Sequence, residues 1–297
     1  MENKLLTVVI AYYNLRFFKE TLDSLASQTD KDFCVFIGND NSPEDPLNLI
    51  ESYKGKLQVS YKKYNANFGG IDLTLQWKRC IDEVNTPYFM ILGDDDMLSN
   101  NSVEEINKEL KRNNQINVYR LSMLRINEEG KNITELMDYS DIDTSTDFIV
   151  KRAKNEVLSS LGEYVFSKKK YDKYGIVSFP KAFYSDNMMV LQYSDFGRVI
   201  NIAQAISIIR VSKYSISGNE INNASINEAA SKFYYNLVKN YINKFDETDI
   251  KYFLPYLLYG YKHKILPINI FDLLKLIIKY NGISIVTSIL FKKVFND

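Results

Sequence analysis

Between residues 5 and 126 the chain switches repeatedly between short apolar, β-branched runs and stretches of helical period, and this alternation constrains the fold more than any other feature. Leu6 to Tyr12 (LTVVIAY) is a continuous apolar run, as expected of a strand buried on both faces. Phe17, Leu22 and Leu25 then recur at helical spacing as far as Gln28. Phe33 to Gly38 reads as a second strand, Leu57 to Tyr64 as a third, Tyr88 to Leu92 as a fourth and Asn117 to Ile126 as a fifth. Helical segments are expected between them over Leu47 to Tyr53, Ile71 to Val84 and Ser102 to Arg112. Strands alternating with helices imply βαβ units, hence an α/β, Rossmann-like, mostly parallel sheet with flanking helices.

Sheets of this kind bind ligands at the carboxyl ends of their strands, where the loops diverge at a switch in strand order. In this chain those ends carry Tyr13-Asn14, Asn39-Asp40, Asn67-Phe68-Gly69-Gly70 and Asp94-Asp95-Asp96. Four polar clusters are thereby directed to one edge. Three consecutive aspartates repel one another, and a hard divalent cation such as Mg²⁺ or Mn²⁺ relieves that repulsion. The plainer alternative is a solvated turn with aspartate as a helix cap. Asp40 followed by Ser42 and Pro43 is also a turn composition, although a carboxylate there could accept the N–H of a pyrimidine ring. Glycines after Asn67 let backbone approach a ligand, and Asp72 has the alternative of capping the next helix. Asp186 lies at or near a helix start, where a capping role competes with that of a general base.

The chain downstream is less regular. Helices are expected over Asp147 to Leu161, Lys168 to Tyr174 and Phe183 to Tyr193, with strands at Tyr164 to Ser167 and within Val199 to Val211. From residue 218 the pattern is helical: Asn227 to Asn243, Asp249 to His263, Ile270 to Tyr280 and Ile283 to Phe295. The organisation expected is a domain over 1–217, with a ligand-binding half at 1–126 and a second half at 127–217, followed by a helical extension at 218–297.

Composition excludes several chemistries. With 37 basic and 37 acidic residues, no global field draws in nucleic acid. His263 is the only histidine, which argues against a Ser-His-Asp triad or histidine-based zinc chemistry. No G-x-G-x-x-G or P-loop occurs, which weakens dinucleotide and kinase readings. Cys34 and Cys80 lie in apolar contexts and read as small buried hydrophobes.

Val8-Val-Ile-Ala-Tyr-Tyr-Asn14, Leu22-Asp-Ser-Leu25, Gln28-Thr29, Asn39-Asp40-Asn41-Ser42 and Gly93-Asp-Asp-Asp96 together resemble the family 2 glycosyltransferases of the GT-A fold. The resemblance covers about 125 residues and continues more weakly through Ser185-Asp186, Arg210 and Ser215-Ile-Ser217. It implies an inverting, metal-dependent transfer of a sugar from a nucleotide-sugar, most commonly a UDP-sugar, to a saccharide or lipid-linked saccharide, as in bacterial polysaccharide or O-antigen assembly. By position, Ala11, Tyr13 and Asn14 would lie against the nucleotide, Asp40 would contact the base, and Asn67 would belong to the donor-binding set. Asp94 would sit near the ribose or donor sugar, Asp95 would be the main ligand of Mn²⁺ or Mg²⁺ with Asp96 assisting, and Asp186 would be the catalytic base. The chain departs from the family pattern in three places: Gly93 replaces the usual first aspartate, Asn39 the first acidic residue after strand two, and Ser185 one member of the acidic pair.

Two other readings compete. A sugar-phosphate nucleotidyltransferase needs a glycine-rich basic loop after strand one, which Tyr12-Tyr-Asn-Leu-Arg16 does not supply. Retention of Asp40, the aspartate triplet and Asp186 speaks against a catalytically degenerate binding or scaffold subunit, an alternative that an activity assay decides. The N-terminus lacks the pattern of an export signal and no run of about 18 apolar residues occurs, so a cytoplasmic location is expected. Ile270, Leu273, Leu274, Ile277 and Ile278 share one helical face, and residues 251–297 hold seven lysines against two aspartates. That face either packs on the domain or meets the inner face of an anionic membrane.

Overall fold

The computed structural model describes residues 4–139, 144–215, 223–280 and 283. Among the described residues eight strands form one sheet: β1 (Leu6–Tyr12), β2 (Cys34–Asn39), β3 (Val59–Lys63), β4 (Tyr88–Leu92), β5 (Met97–Leu98), β6 (Val118–Ile126), β7 (Tyr164–Ser167) and β8 (Ile200–Arg210). Their order across the sheet is β3-β2-β1-β4-β7-β6-β8-β5. The run β3-β2-β1-β4 is parallel, as the alternating pattern requires. Beyond it the sheet is mixed, because β7 pairs antiparallel with both β4 and β6, β8 runs parallel to β6, and β5 is antiparallel to β8.

The first half supplies helices α1 (Phe18–Ala26), α2 (Leu47–Glu51), α3 (Leu73–Ile81) and α4 (Ser102–Arg112). β1 shows why both faces of the sheet must be covered. Successive side chains point to opposite faces, so Val9 joins Phe36, Trp77 and Cys80 in one apolar core while Val8 and Ile10 join Leu22, Leu25 and Val103 in the other. At about 25 cal/mol per Å² of apolar area removed from water, such double burial fixes the register of the strand.

The second half departs from the sequence expectation where the backbone breaks a pattern. The helix expected over Asp147 to Leu161 ends early, as α5 (Ser145–Ala153), because Asn155 turns left-handed at φ 61°. α6 (Lys168–Tyr174) follows β7 directly, and α7 covers Ser185–Tyr193. Val199 to Val211 resolves into the single strand β8, with a register shift against β6 between Leu121 and Ser122.

The C-terminal helices are α8 (Asn223–Asn240), α9 (Leu254–Lys262) and α10 (Ile270–Lys279). Pro255 near the start of α9 explains why Asp249 to His263 is not one continuous helix. The helix expected over Ile283 to Phe295 lies outside the described residues except for Ile283, as do Ile216, Ser217 and the expected domain boundary. Phe233, Leu237, Leu254, Leu257, Leu273 and Ile277 belong to the same apolar core as Ile149 and Met188 to Leu191. The apolar face of α10 therefore divides: Leu273 and Ile277 are buried, while Ile270, Phe271, Leu274 and Ile278 remain exposed. Among the described residues no helix is long and apolar enough to cross a membrane.

Candidate active site

Strand order reverses between β1 and β4, both of which run toward the same edge, so their carboxyl ends open a crevice. Asp94, just past β4, bridges it. Its Oδ2 accepts the backbone N–H groups of Tyr13 at 2.7 Å and Asn14 at 2.6 Å, fixing the turn that follows β1. Tyr13 in turn accepts the Ser42 hydroxyl at 2.6 Å on its carbonyl, which ties in the loop after β2. Burial pushes the Asp94 carboxyl up to about 6 despite these donors.

The next two aspartates have different surroundings. Asp96 is buried, and its Oδ1 accepts the Arg210 backbone N–H at 2.9 Å, joining the β4 turn to the end of β8. Asp95 is half-buried, and among the described residues its own backbone N–H is the one donor to its carboxylate. Burial, followed by the charges of Asp96 and Asp94, raises its pKa well above the carboxylate range. None of the three caps a helix; the residue before α4 is Asn101. Among the described residues, no group of three or more His, Cys, Asp or Glu side chains is arranged to hold a metal. One free carboxylate beside a second, partly used one nevertheless fits Mg²⁺ or Mn²⁺, which take one or two protein carboxylates and complete their shell with water and substrate phosphate.

Gly93 is required by space. A Cβ there would lie 2.7 Å from Asp96 Oδ2 and 2.9 Å from Asp95 Oδ1, and Asp96 is anchored by Arg210. Gly93→Ala is expected to destabilise the protein by about 1–3 kcal/mol, as overpacking does. A urea midpoint equal to that of the wild type would refute this account of the glycine.

Asp40 carries more than a turn. Its Oδ1 accepts the Phe68 N–H at 2.8 Å and its Oδ2 the Gly69 N–H at 2.7 Å, and Arg79 pairs with it, so the carboxylate pins the Asn67–Gly70 loop to β2. Burial raises its pKa against these three donors. Asn67 Oδ1 accepts the Gly70 N–H at 2.6 Å, and a Cβ on Gly69 would lie 2.6 Å from Asp40 Oδ2, so the loop approaches the carboxylate as only glycine permits. Asp72 caps α3 through the Thr74 N–H.

The opposite wall is built by α7. Asp186 is in the first turn of that helix, one residue inside its start; the capping position belongs to Tyr184, in a left-handed conformation. A capping role does not account for Asp186. Its carboxyl is raised by burial and drawn down by the nearby Arg152 charge. Lys181, Ala182 and Tyr184 all have positive φ, at 55°, 62° and 66°, so a strained loop leads into the helix. Tyr184 packs at 5.1 Å on Phe233 and 5.9 Å on Tyr234, which brings α8 into the construction of the site.

All nine residues singled out from the sequence, Ala11, Tyr13, Asn14, Asp40, Asn67, Asp94, Asp95, Asp96 and Asp186, line one cavity of about 510 Å³. Trp77, Arg152, Lys181 and Tyr184, not singled out from the sequence, also line it. Arg152 reads as the polar face of an amphipathic helix and Lys181 as a loop lysine, and neither carries a local signal.

A sequence model described as "Glycosyl transferase family 2" matches residues 7–174, more than half of the chain. A teichoic acid poly(glycerol phosphate) polymerase of Staphylococcus epidermidis is 30% identical over 105 residues, a match spanning 33% of this chain and 14% of that one. The chain thus covers about a seventh of that relative. Residues 1–349 of S. aureus TarS in complex with UDP-GlcNAc superpose with a TM-score of 0.60 at 15% identity, covering 88% of this chain and 76% of that one. A mannosyltransferase of Pyrobaculum calidifontis in complex with GDP-Man and Mn²⁺ gives 0.57 at 11% identity, covering 89% and 76%. These two structures share the fold, a curled mixed sheet flanked by helices.

Proposed function

The chain belongs to glycosyl transferase family 2, and from that premise we propose that it transfers a sugar from a nucleotide-sugar, with inversion, to a hydroxyl of a saccharide or lipid-linked saccharide. The convergence of the four strand-end clusters and Asp186 on one cavity carries this reading. The UDP-GlcNAc, GDP-Man and Mn²⁺ held in complex by the similar structures support a nucleoside diphosphate donor and a divalent metal. A teichoic acid polymerase among the relatives supports a place in cell-surface polymer assembly.

In this reading Tyr13 and Asn14, held by Asp94, position the nucleotide, and Asp40 shapes its base pocket by fixing the Asn67–Gly70 loop. Asp95, with Asp96, would hold the metal, which when bound supplies positive charge that stabilises the departing diphosphate. Asp186 accepts the proton of the acceptor hydroxyl as that oxygen bonds the anomeric carbon, and the nucleoside diphosphate leaves from the other face with the electron pair of the broken bond. The exposed half of α10, through Ile270, Phe271, Leu274 and Ile278, would lie against an anionic membrane and hold the enzyme near a lipid-linked acceptor.

Thermal melting with a panel of nucleoside diphosphates, with and without Mn²⁺, tests the donor site. A ligand that binds only the folded state stabilises it according to its concentration over Kd, by about 2.7 kcal/mol at 100 Kd, and the midpoint rises accordingly. One nucleotide should raise it in a metal-dependent way, and Asp95→Asn should abolish the metal-dependent part. A flat response to every nucleotide at millimolar concentration would instead favour a scaffold without a donor site.

A further inference from the structure

We propose that the Asp186 end of the cavity binds a phosphate group of the acceptor, taken between Arg152 and Lys181. This deepens the transferase reading and rests on Asp186 as the residue that meets the acceptor. Among the described residues three basic side chains line the cavity, and their situations differ. Arg210 is fully engaged: it pairs with Glu20 and donates to the carbonyls of Asp95, Asn127 and Glu128. Arg152 has no carboxylate within 4.0 Å among the described residues, its Nε is buried with no hydrogen-bond partner, and its guanidinium lies 4.8 Å from the Tyr184 ring centre. Lys181 forms no ion pair or side-chain hydrogen bond among the described residues and stands exposed at the cavity rim. Asp186 is the nearby anion but stands beyond ion-pair distance, and holding a guanidinium largely out of water without a directly paired anion is costly, so one is expected to arrive with a ligand.

The loop that carries Lys181 is held in place rather than relaxed. Three positive-φ residues within four positions are each unfavourable for a side chain with a Cβ. They are fixed by the Phe179 N–H donating to Ser185 Oγ at 3.1 Å and the Ala182 N–H donating to the Phe179 carbonyl at 2.8 Å. The titratable groups around Arg152 include Tyr184, Asp186, Tyr234, Tyr164, Tyr256 and a second cation, Arg125. The contact of Arg152 with Tyr184, two residues before Asp186, places the cation at the Asp186 end of the cavity. A tetrahedral phosphate has enough oxygens to accept a guanidinium fork and an ammonium together, which suits it to this pair better than a carboxylate.

The test uses the full chain and sn-glycerol 3-phosphate as probe, titrated with and without a saturating nucleoside diphosphate and read by the fluorescence of Trp77, the single tryptophan, which lines the same cavity. The probe is expected to bind in both conditions, glycerol is expected not to, and Lys181→Gln and Arg152→Gln are each expected to weaken binding about tenfold or more. Lys181→Glu should abolish it, and because Lys181 is exposed these variants stay informative even if Arg152→Gln fails to fold. Competition with the nucleoside diphosphate, an equal response to glucuronate, or unchanged affinity in Lys181→Gln would overturn the proposal. If no nucleoside diphosphate binds while glycerol phosphate does, the donor reading fails and the anion site stands. A soluble glycerol phosphate oligomer and vesicles containing a polyprenyl phosphate separate a polymer phosphodiester from a lipid headgroup as the source. Binding to neither would overturn the acceptor assignment.

Discussion

Asp95→Asn is expected to lower sugar transfer by about 10³-fold or more, the loss of several kcal/mol of charge stabilisation at the departing diphosphate. Of the three clustered aspartates, Asp94 is committed to the Tyr13 and Asn14 N–H groups and Asp96 to that of Arg210. Asp95 alone keeps its carboxylate for something that enters the cavity. The same substitution is expected to raise the melting midpoint in metal-free buffer. A carboxyl whose pKa is raised by folding binds more protons folded than unfolded, so metal-free stability falls as pH rises through the raised value. It recovers as pH falls toward the ordinary carboxylate range. For Asp94 that loss runs through about pH 6, and for Asp95 it lies above the carboxylate range in the same direction. Removing the Asp95 charge relieves the repulsion, and added Mn²⁺ should then stabilise the wild type but not the variant. Transfer within threefold of the wild type, or an unchanged response to Mn²⁺, would remove Asp95 from the metal site.

What could be read in advance follows from how local each signal is. β1 and β4 run between the boundaries expected for them because an apolar run ended by polar residues is complete within a few positions. Their polar successors, Tyr13-Asn14 and Asp94 to Asp96, inherit their location from those strand ends, so that side of the site was legible. β5, two residues long, carries no period at all. The insertion of β7 between β4 and β6 is set by long-range pairing of Phe89 with Phe166 and Val118 with Phe166, which no spacing along the chain reveals. Asp40 was visible as a turn residue, but its partners Phe68, Gly69 and Arg79 lie 28 to 39 positions away. The left-handed residues at 181, 182 and 184 are not glycines, so the backbone that shapes the Asp186 wall announced itself nowhere in the sequence. Arg152 reaches that wall only because α5 packs against α7.

Asp186→Asn is expected to lower turnover by about 10²–10⁴-fold, the ordinary worth of a general base, with donor binding retained. The variant keeps the shape of the side chain and its place in the first turn of α7, so the loss isolates proton acceptance from packing. A hydroxyl of a sugar is a poor nucleophile at neutral pH, and a carboxylate is competent to relieve it of its proton only while ionised. Burial raises the pKa of Asp186, and the Arg152 charge opposes that rise without cancelling it. The rate should therefore fall on the acid side, as pH drops through a value above the ordinary carboxylate range, because protonation removes the base. Arg152→Gln, by withdrawing the opposing charge, should shift that acid limb to higher pH. A pH profile in which Asp186→Asn keeps the wild-type acid limb at near wild-type turnover would show that the proton leaves by another route. In that case Asp186 would be a helix-terminal carboxylate placed there for the favourable field of α7.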